Sequence, residues 1–335
     1  DGGKARAIIV NSGNANAGTG EKGLEDCLTT AQYGASLLNI DTKEILLCST
    51  GIIGLPLPMD KLKKGIKEAV AQLRADGGHD SALAIMTTDT FPKERVLEFD
   101  LGGQKARIAA IAKGSGMIHP NMATMLGFII TDVSISSFAL HKALFDSVNK
   151  SFNMVSVDGD TSTNDTVLAL ANGRSGNDCI DTFNHPLFAD FQEALQVLCI
   201  EMAKDLARDG EGATKLLQAR VINAPSYSDA VKAAKAVISS SLVKAAFFGE
   251  DANWGRVICA LGYCGAELDV NKVDIDFISQ AGREAMMRKG MGLAFDEENA
   301  AAILHEKEIE ILIDLHDGSD EAMAWGCDLT YDYVK

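Results

Sequence analysis

The chain has no CxxC pair, no HExxH motif and no zinc-ligand spacing among its seven cysteines and six histidines. An odd number of scattered thiols excludes a disulfide framework and reads as reduced cysteines in a reducing compartment. Most lie in apolar runs, where a role in the core suits them. Dispersed histidines give no metal site of the familiar kinds. No apolar run reaches the length of a membrane span. The N-terminus carries no signal-peptide pattern and opens at Asp1 without Met, so targeting is left open. Long basic runs are also missing, and the formal charge is −16. That balance weighs against nucleic acid and anionic membranes as partners, since both recruit basic patches. No internal repeat, low-complexity tract or long linker interrupts the chain.

What remains is the composition of an ordinary globular enzyme: 335 residues, 47% hydrophobic and 23% charged. That is enough for one large domain or two to three smaller ones. Strand and helix signals interleave. ARAIIV (Ala5–Val10) and EILLCS (Glu44–Ser49) read as strands. Helical spacing over 21–38 puts Leu24, Cys27, Leu28, Ala31 and Ala35 on one face. Residues 59–74 form an amphipathic helix with Leu62, Ile66, Val70 and Leu73 in a stripe. ALAIM (Ala82–Met86) is a short apolar run, and RVLEFDL with KARIAAIA reads as a β-hairpin. GFIITD follows as a strand, then a helix over 136–152, the strand VLALA and a helix over 185–207. From Lys215 the texture changes. LLQARVI, LVKAAFF, RVICALG, VDIDFI, IEILIDL and MAWGCDLTYDYV read as short strands, with a helix over 229–239 among them. The class is mixed α/β, with a C-terminal subdomain beginning near 216.

Several polar or glycine-rich loops sit at the ends of apolar runs, where α/β proteins concentrate their sites. Foremost is KGSGMIHPNMATML (Lys113–Leu126), in which Thr124 follows the small residue Ala123 behind a glycine-rich turn with one lysine. A threonine at a new chain end would carry its own base, the α-amine, and could act as an acyl-transfer nucleophile. STGIIG (Ser49–Gly54) could present backbone N–H groups to an oxyanion. MTTDTFPK (Met86–Lys93) clusters hydroxyls and reads as a Thr-rich turn capped by Asp89. DGDTSTNDT (Asp158–Thr166) lacks the Gly and Glu of a calcium loop and reads as a self-hydrogen-bonded turn. RDGEGATK (Arg208–Lys215) places Glu211 between glycines at a helix end, and FGEDANWGR (Phe248–Arg256) carries Trp254. Taken singly, each is more simply a strand-end turn. The spacing around Lys113 is not that of a phosphate-binding P-loop.

Taken together, KGSGMIHPNMATML, NSGNANAGTG, STGIIG, MTTDTFPK, DGDTSTNDT, DGEGATK, FGEDANWGR and GCDLTYDYV resemble the ordered motifs of one family. It is the ornithine acetyltransferase family, also called the arginine-biosynthesis bifunctional glutamate N-acetyltransferases. The resemblance runs in order over nearly the whole chain. It implies a mixed layered α/β/β/α sandwich of the N-terminal-nucleophile-like type, a catalytic core over 1–215 and a smaller C-terminal α+β subdomain over 216–335. It implies self-cleavage between Ala123 and Thr124, giving an α fragment of 1–123 and a β fragment of 124–335. Thr124 then falls on the nucleophile, Thr50 and Gly51 on the oxyanion-hole positions, and Thr87, Lys113, Thr124 and Glu211 on substrate-contacting positions. No cofactor and no metal is implied. The family also has a segment ahead of the ARAIIV strand, and a tail past Lys335 with an Asn and a Thr or Ser that touch substrate.

The implied reaction is ping-pong acetyl transfer from N-acetylornithine to glutamate through an acetyl-threonine, in cyclic arginine biosynthesis. Some members also take acetyl from acetyl-CoA, and nothing in these residues decides that point. A dimer of α/β pairs is implied, in the cytoplasm or, in a eukaryote, an organelle matrix. The alternative enzyme is an N-terminal-nucleophile aminopeptidase or amidase of related fold, with water as acceptor. A non-catalytic binding protein that retains the loops is the alternative from another class.

Overall fold

The computed structural model describes residues 3–118 and 125–334. It is a mixed α/β protein with several sheets, as the sequence leads one to expect. The chain forms two compact units that interleave in sequence. The first takes the described residues of Asp1–Gly114, Met122–Ser147 and Ser162–Leu198; the second takes those of Ser115–Asn121, Val148–Thr161 and Cys199–Lys335. The position 215/216, where the sequence texture changes, lies inside the second unit. Units assembled from discontinuous segments leave no single boundary along the chain to read. Among the described residues no helix is long and apolar enough to cross a membrane.

The first unit contains a four-stranded sheet. Its order is Lys93–Leu101, Gln104–Lys113, Leu126–Thr131 and Thr166–Ala171. The first three strands run antiparallel, and the last lies parallel to Leu126–Thr131. Beside it, Ala7–Asn14 pairs in parallel with Ile45–Ile52. Alternation along Ala7–Asn14 sends side chains to two cores, as the two-residue period of a strand requires. Ile8 and Val10 pack with Cys48, Ile85, Leu126 and Phe128. Ala7 and Ile9 pack with Ala31, Ala35, Ile45 and Leu47. Full burial of each large side chain is worth about 1.5–3 kcal/mol.

Two helices of this unit correct the sequence reading. Helix Gly20–Leu38 buries Gly23, Asp26, Thr30, Ala31, Gly34 and Ala35, whereas Leu24 and Leu28 are exposed. Small side chains let the helix lie close to the strands, with Gly34 against Ile9, and that closeness outweighs the pull of the two leucines. Helix Met59–Ala71 buries only Ile66 of its apolar stripe; Leu62, Ile66, Val70 and Leu73 line an open cavity of about 890 Å³ together with Val10 and Leu57. The apolar run ALAIM falls largely in a short helix, Gly78–Ala84.

In the second unit seven strands form one sheet. The order is Met291–Gly292, Gly282–Arg288, Asp274–Ser279, Glu308–Asp314, Leu216–Ala224, Asp320–Cys327 and Val155–Ser156. Ile309, Ile311 and Ile313 alternate into a closed core, as do Leu217, Ala219 and Val221 of the neighbouring strand. LVKAAFF and RVICALG, read as strands, are helices: Ser241–Phe248 and Trp254–Gly262. Mostly apolar segments of seven residues fit either element by pattern alone, and capping decides here. The Ser240 side chain accepts the Val243 N–H, and the Asn253 side chain accepts the Arg256 N–H. Val243, Ala246 and Phe247 then share a buried face, as do Val257, Ala260 and Leu261.

Candidate active site

In the first unit the ends of the paired strands Ala7–Asn14 and Ile45–Ile52 meet abreast. Ser12 lies opposite Thr50 and Gly13 opposite Gly51. Thr50 is buried. Gly51 has φ +126, a conformation that L side chains rarely adopt. A Cβ there would stand 2.3 Å from the Gly13 carbonyl carbon and 2.7 Å from the Asn14 nitrogen. The backbone at 51 is thus fixed by the close approach of a second strand. A polar net holds the turn from behind. Ser49 Oγ donates to Asn11 Oδ1 at 2.7 Å, and Asn11 Nδ2 donates to the Asn14 carbonyl at 2.8 Å. Asn164 Nδ2 donates to the Ser49 carbonyl at 3.0 Å and to the Ala15 carbonyl. The Ser49 carbonyl belongs to the same rigid peptide as the Thr50 N–H, so Asn164 sets the direction of that donor.

Lys113 ends the strand Gln104–Lys113 and is buried. Its Nζ donates to Thr87 Oγ1 at 2.7 Å and lies 3.8 Å from Asp89 Oδ2. Asp89 accepts from Lys93 Nζ at 2.7 Å, from the Gly114 N–H at 2.6 Å and from the Thr87 N–H at 3.1 Å. Burial alone would push the Asp89 carboxyl up. The Lys93 ammonium and the two N–H groups outweigh it and hold the carboxyl below its usual range. Burial, with the charge of Lys93, holds the Lys113 ammonium below the ordinary lysine range, against the pull of Asp89 and Asp165.

DGDTSTNDT bonds to itself, as a turn of its composition should, and also reaches outward. Its local bonds include Asp160 N–H to Asp158, Asn164 N–H to Ser162, Thr163 Oγ1 to Asn164 Oδ1 and Thr166 Oγ1 to the Asn164 carbonyl. Asn164 reaches the STG turn, and Asp165 lies within electrostatic reach of Lys113. In the second unit, Asp158 accepts the Met117 and Ile118 N–H groups. Glu211, also in the second unit, is exposed; its N–H donates to the Ser115 carbonyl at 2.8 Å. A Cβ on Gly116 would lie 2.4 Å from Glu211 Oε2, so a glycine leaves the carboxylate its place against the chain.

Thr50, Gly51, Thr87 and Lys113 therefore belong to the first unit, linked through Asn164 and Asp165, while Glu211 belongs to the second. Ala123 and Thr124 lie outside the described residues. The sequence reading passed over Asp89 as a simple cap, and over Lys93, Asn164 and Asp165. The signal for the first two was their i, i+4 spacing beside a buried strand end. Among the described residues no group of three His, Cys, Asp or Glu could hold a metal ion.

If the close pairing of Gly13 and Gly51 shapes an oxyanion site, Gly51→Ala should lower kcat by about 10²-fold or more with little change in KM. Steady-state kinetics would check this, and a wild-type kcat would remove Gly51 from that role.

The chain matches the model of the ArgJ family over residues 1–335. It is 55% identical to the arginine biosynthesis bifunctional protein ArgJ of Symbiobacterium thermophilum over 335 residues, covering 99% of this chain and 82% of that protein. It is 48% identical to the glutamate N-acetyltransferase of Methanothermobacter thermautotrophicus over 340 residues, again covering 99% and 82%. The crystal structure of the arginine biosynthesis bifunctional protein argJ of Bacillus halodurans superposes with a TM-score of 0.59 at 44% identity, covering 62% of this chain and 95% of that one. The chain with the Gly13–Gly51 turn and the buried Lys113–Asp89–Lys93 group belongs to the ArgJ family.

Proposed function

We propose that this chain transfers an acetyl group from N-acetylornithine to glutamate through an acetyl-Thr124 intermediate, after cutting itself between Ala123 and Thr124. The observation that carries this reading is the register Lys113↔Leu126. It sets the chain two residues past Thr124 against the strand end that holds Lys113, Thr87 and Asp89. Relatives named as ArgJ bifunctional proteins and as a glutamate N-acetyltransferase support it.

In the first step the Thr124 hydroxyl attacks the Ala123 carbonyl, and the acyl group moves from nitrogen to oxygen. That shift breaks the amide bond and frees the amine, and water then hydrolyses the ester to release the Thr124 hydroxyl and the Ala123 carboxylate. An unperturbed α-amine titrates at about 7.7–8.0, so near neutrality a useful fraction is a free base. That amine takes the hydroxyl proton as the oxygen attacks the acetyl carbonyl. Thr50 and Gly51 steady the oxyanion, a contribution of about 3–4 kcal/mol per donor in comparable sites. Ornithine leaves with the proton, and the glutamate amine then accepts the acetyl group. Lys113 suits a substrate carboxylate and Glu211 a cationic side chain or α-amine. Acetyl-CoA is a further candidate donor, and a dimer of cut chains in the cytoplasm is the expected setting.

The test is labelled acetyl transfer. Incubation with labelled N-acetylornithine should place label on Thr124, and glutamate should remove it as N-acetylglutamate far faster than water does. Loss of label to water at the same rate with and without glutamate would favour the amidase instead. Acetyl-CoA run beside N-acetylornithine shows whether it is a second donor.

A further inference from the structure

Two buried ammoniums flank the Asp89 carboxylate, and they are held very differently. Lys93 Nζ meets Asp89 Oδ1 at 2.7 Å and lies over the Phe91 ring, 5.0 Å from its centroid. Lys113 Nζ stops 3.8 Å from Asp89 Oδ2, beyond hydrogen-bond reach, and donates to Thr87 Oγ1 at 2.7 Å instead. The carboxylate is already well served. The Gly114 N–H donates to the same Oδ1 as Lys93, and the Thr87 N–H donates to Oδ2. Thr87 therefore works in both directions: its backbone braces Asp89 and its hydroxyl aims Lys113.

Two ammoniums on one carboxylate leave a surplus positive charge in a place closed to water. The further acid that acts on Lys113 is Asp165. Burial pushes its carboxyl up to about 7, so near neutrality it cancels the surplus only in part. Lys93 also works against the Lys113 ammonium by repulsion. An anion brought to Lys113 relieves both strains. An ammonium has three donors, and among the described residues the bond to Thr87 uses one. Without Lys93 the balance is different. Asp89 would keep its charge with Lys113 as the near cation. Closing the gap of 3.8 Å would then pair the two and spend the Lys113 ammonium inside the protein.

We propose that Lys93 is a positioning residue for Lys113: by satisfying Asp89 it keeps the Lys113 ammonium, aimed by Thr87, unspent for the carboxylate of an amino-acid substrate. Lys93 thereby sets the preference for amino acids over the corresponding amines without touching the ligand. This rests on the reading of Lys113 as the group that takes a substrate carboxylate.

The test is calorimetric binding of ornithine, with putrescine, the same diamine without the carboxylate, as the control. Lys93→Met should raise the ornithine Kd about tenfold, in keeping with the weakening of one charge-assisted hydrogen bond, and leave putrescine binding as in the wild type. In steady-state transfer the same variant should raise the KM for glutamate with kcat nearly unchanged. Removing both charges in Lys93→Met/Asp89→Asn takes away the trap as well as its guard, and ornithine binding should return to within about threefold of the wild type. Lys113→Met sets the floor. If it leaves ornithine binding unchanged, the reading of Lys113 falls, and the inference with it. If it weakens binding while Lys93→Met does not, that reading stands and the role of Lys93 is overturned. Ornithine and putrescine weakened alike in Lys93→Met, or no recovery in the double variant, would mean a structural role only and would overturn it too. Should Lys93→Met fail to fold, Asp89→Asn decides from the other side: tighter ornithine binding supports the balance described, and equal or weaker binding refutes it.

Discussion

Thr124→Ala is expected to yield one uncut chain and no acetyl transfer. Alanine has no hydroxyl to attack the Ala123 carbonyl, so no ester forms and no new amine is released. Both halves of the chemistry fail from the loss of one oxygen. In covalent hydrolases, removing the nucleophile lowers kcat on the order of 10⁶-fold, the residue of activity coming from the oxyanion site and binding. Thr124→Ser keeps the hydroxyl and should cut and transfer. Intact mass after purification and labelled transfer to glutamate read the two effects separately. Transfer retained in Thr124→Ala would mean that another group carries the acetyl.

Asp89→Ala is expected to give the largest loss of stability. Asp89 and Lys93 have side chains 1% and 0% exposed, and Lys113 is 5% exposed. Removing the carboxylate leaves two buried cations facing one another and two backbone N–H groups without an acceptor. Breaking a buried pair by deleting one partner costs about 3–5 kcal/mol, against a total that is typically about 5–15 kcal/mol. Denaturant titration should show a midpoint far below the wild type, and Asp89→Asn, which keeps one acceptor oxygen, should fall between. A midpoint unchanged in Asp89→Ala would mean that the ion pair is not holding this turn. The pH dependence has a definite sign. Because the folded carboxyl is held below its usual value, its contribution is fully present above the ordinary carboxylate pKa of about 4. It is lost as the pH falls through the lower, folded-state value.

The strands with clean alternation or an all-apolar run were legible from sequence, as were the hairpin Lys93–Leu101 with Gln104–Lys113 and the long helices. Two kinds of information were not. LVKAAFF and RVICALG are too short for periodicity to separate strand from helix, and the Ser240 and Asn253 caps decided. On helix Gly20–Leu38 the buried stripe follows small residues rather than large ones, because the depth of a groove is set by how near two backbones can come. In the candidate site, the residues with obvious chemistry stood out by motif. Asn164 and Asp165 did not, since they act on groups far away in sequence: Ser49 for one and Lys113 for the other. A polar residue in a turn looks alike whether it bonds to itself or braces a distant peptide.

The sheet of the first unit has a consequence for what a cut enzyme is. Strand Gln104–Lys113 pairs with Leu126–Thr131 from Ile108↔Thr131 to Lys113↔Leu126, and a break between 123 and 124 falls in the connection joining them. The ladder then becomes an interface between two polypeptides. One fragment brings the hairpin, the other the two strands that complete the sheet. They cannot part without tearing that ladder and opening the cores shared by Val10, Cys48, Leu126 and Phe128. Processing of this kind exchanges a folding problem solved by one chain for a permanent association of two, in which neither fragment retains the whole four-stranded sheet.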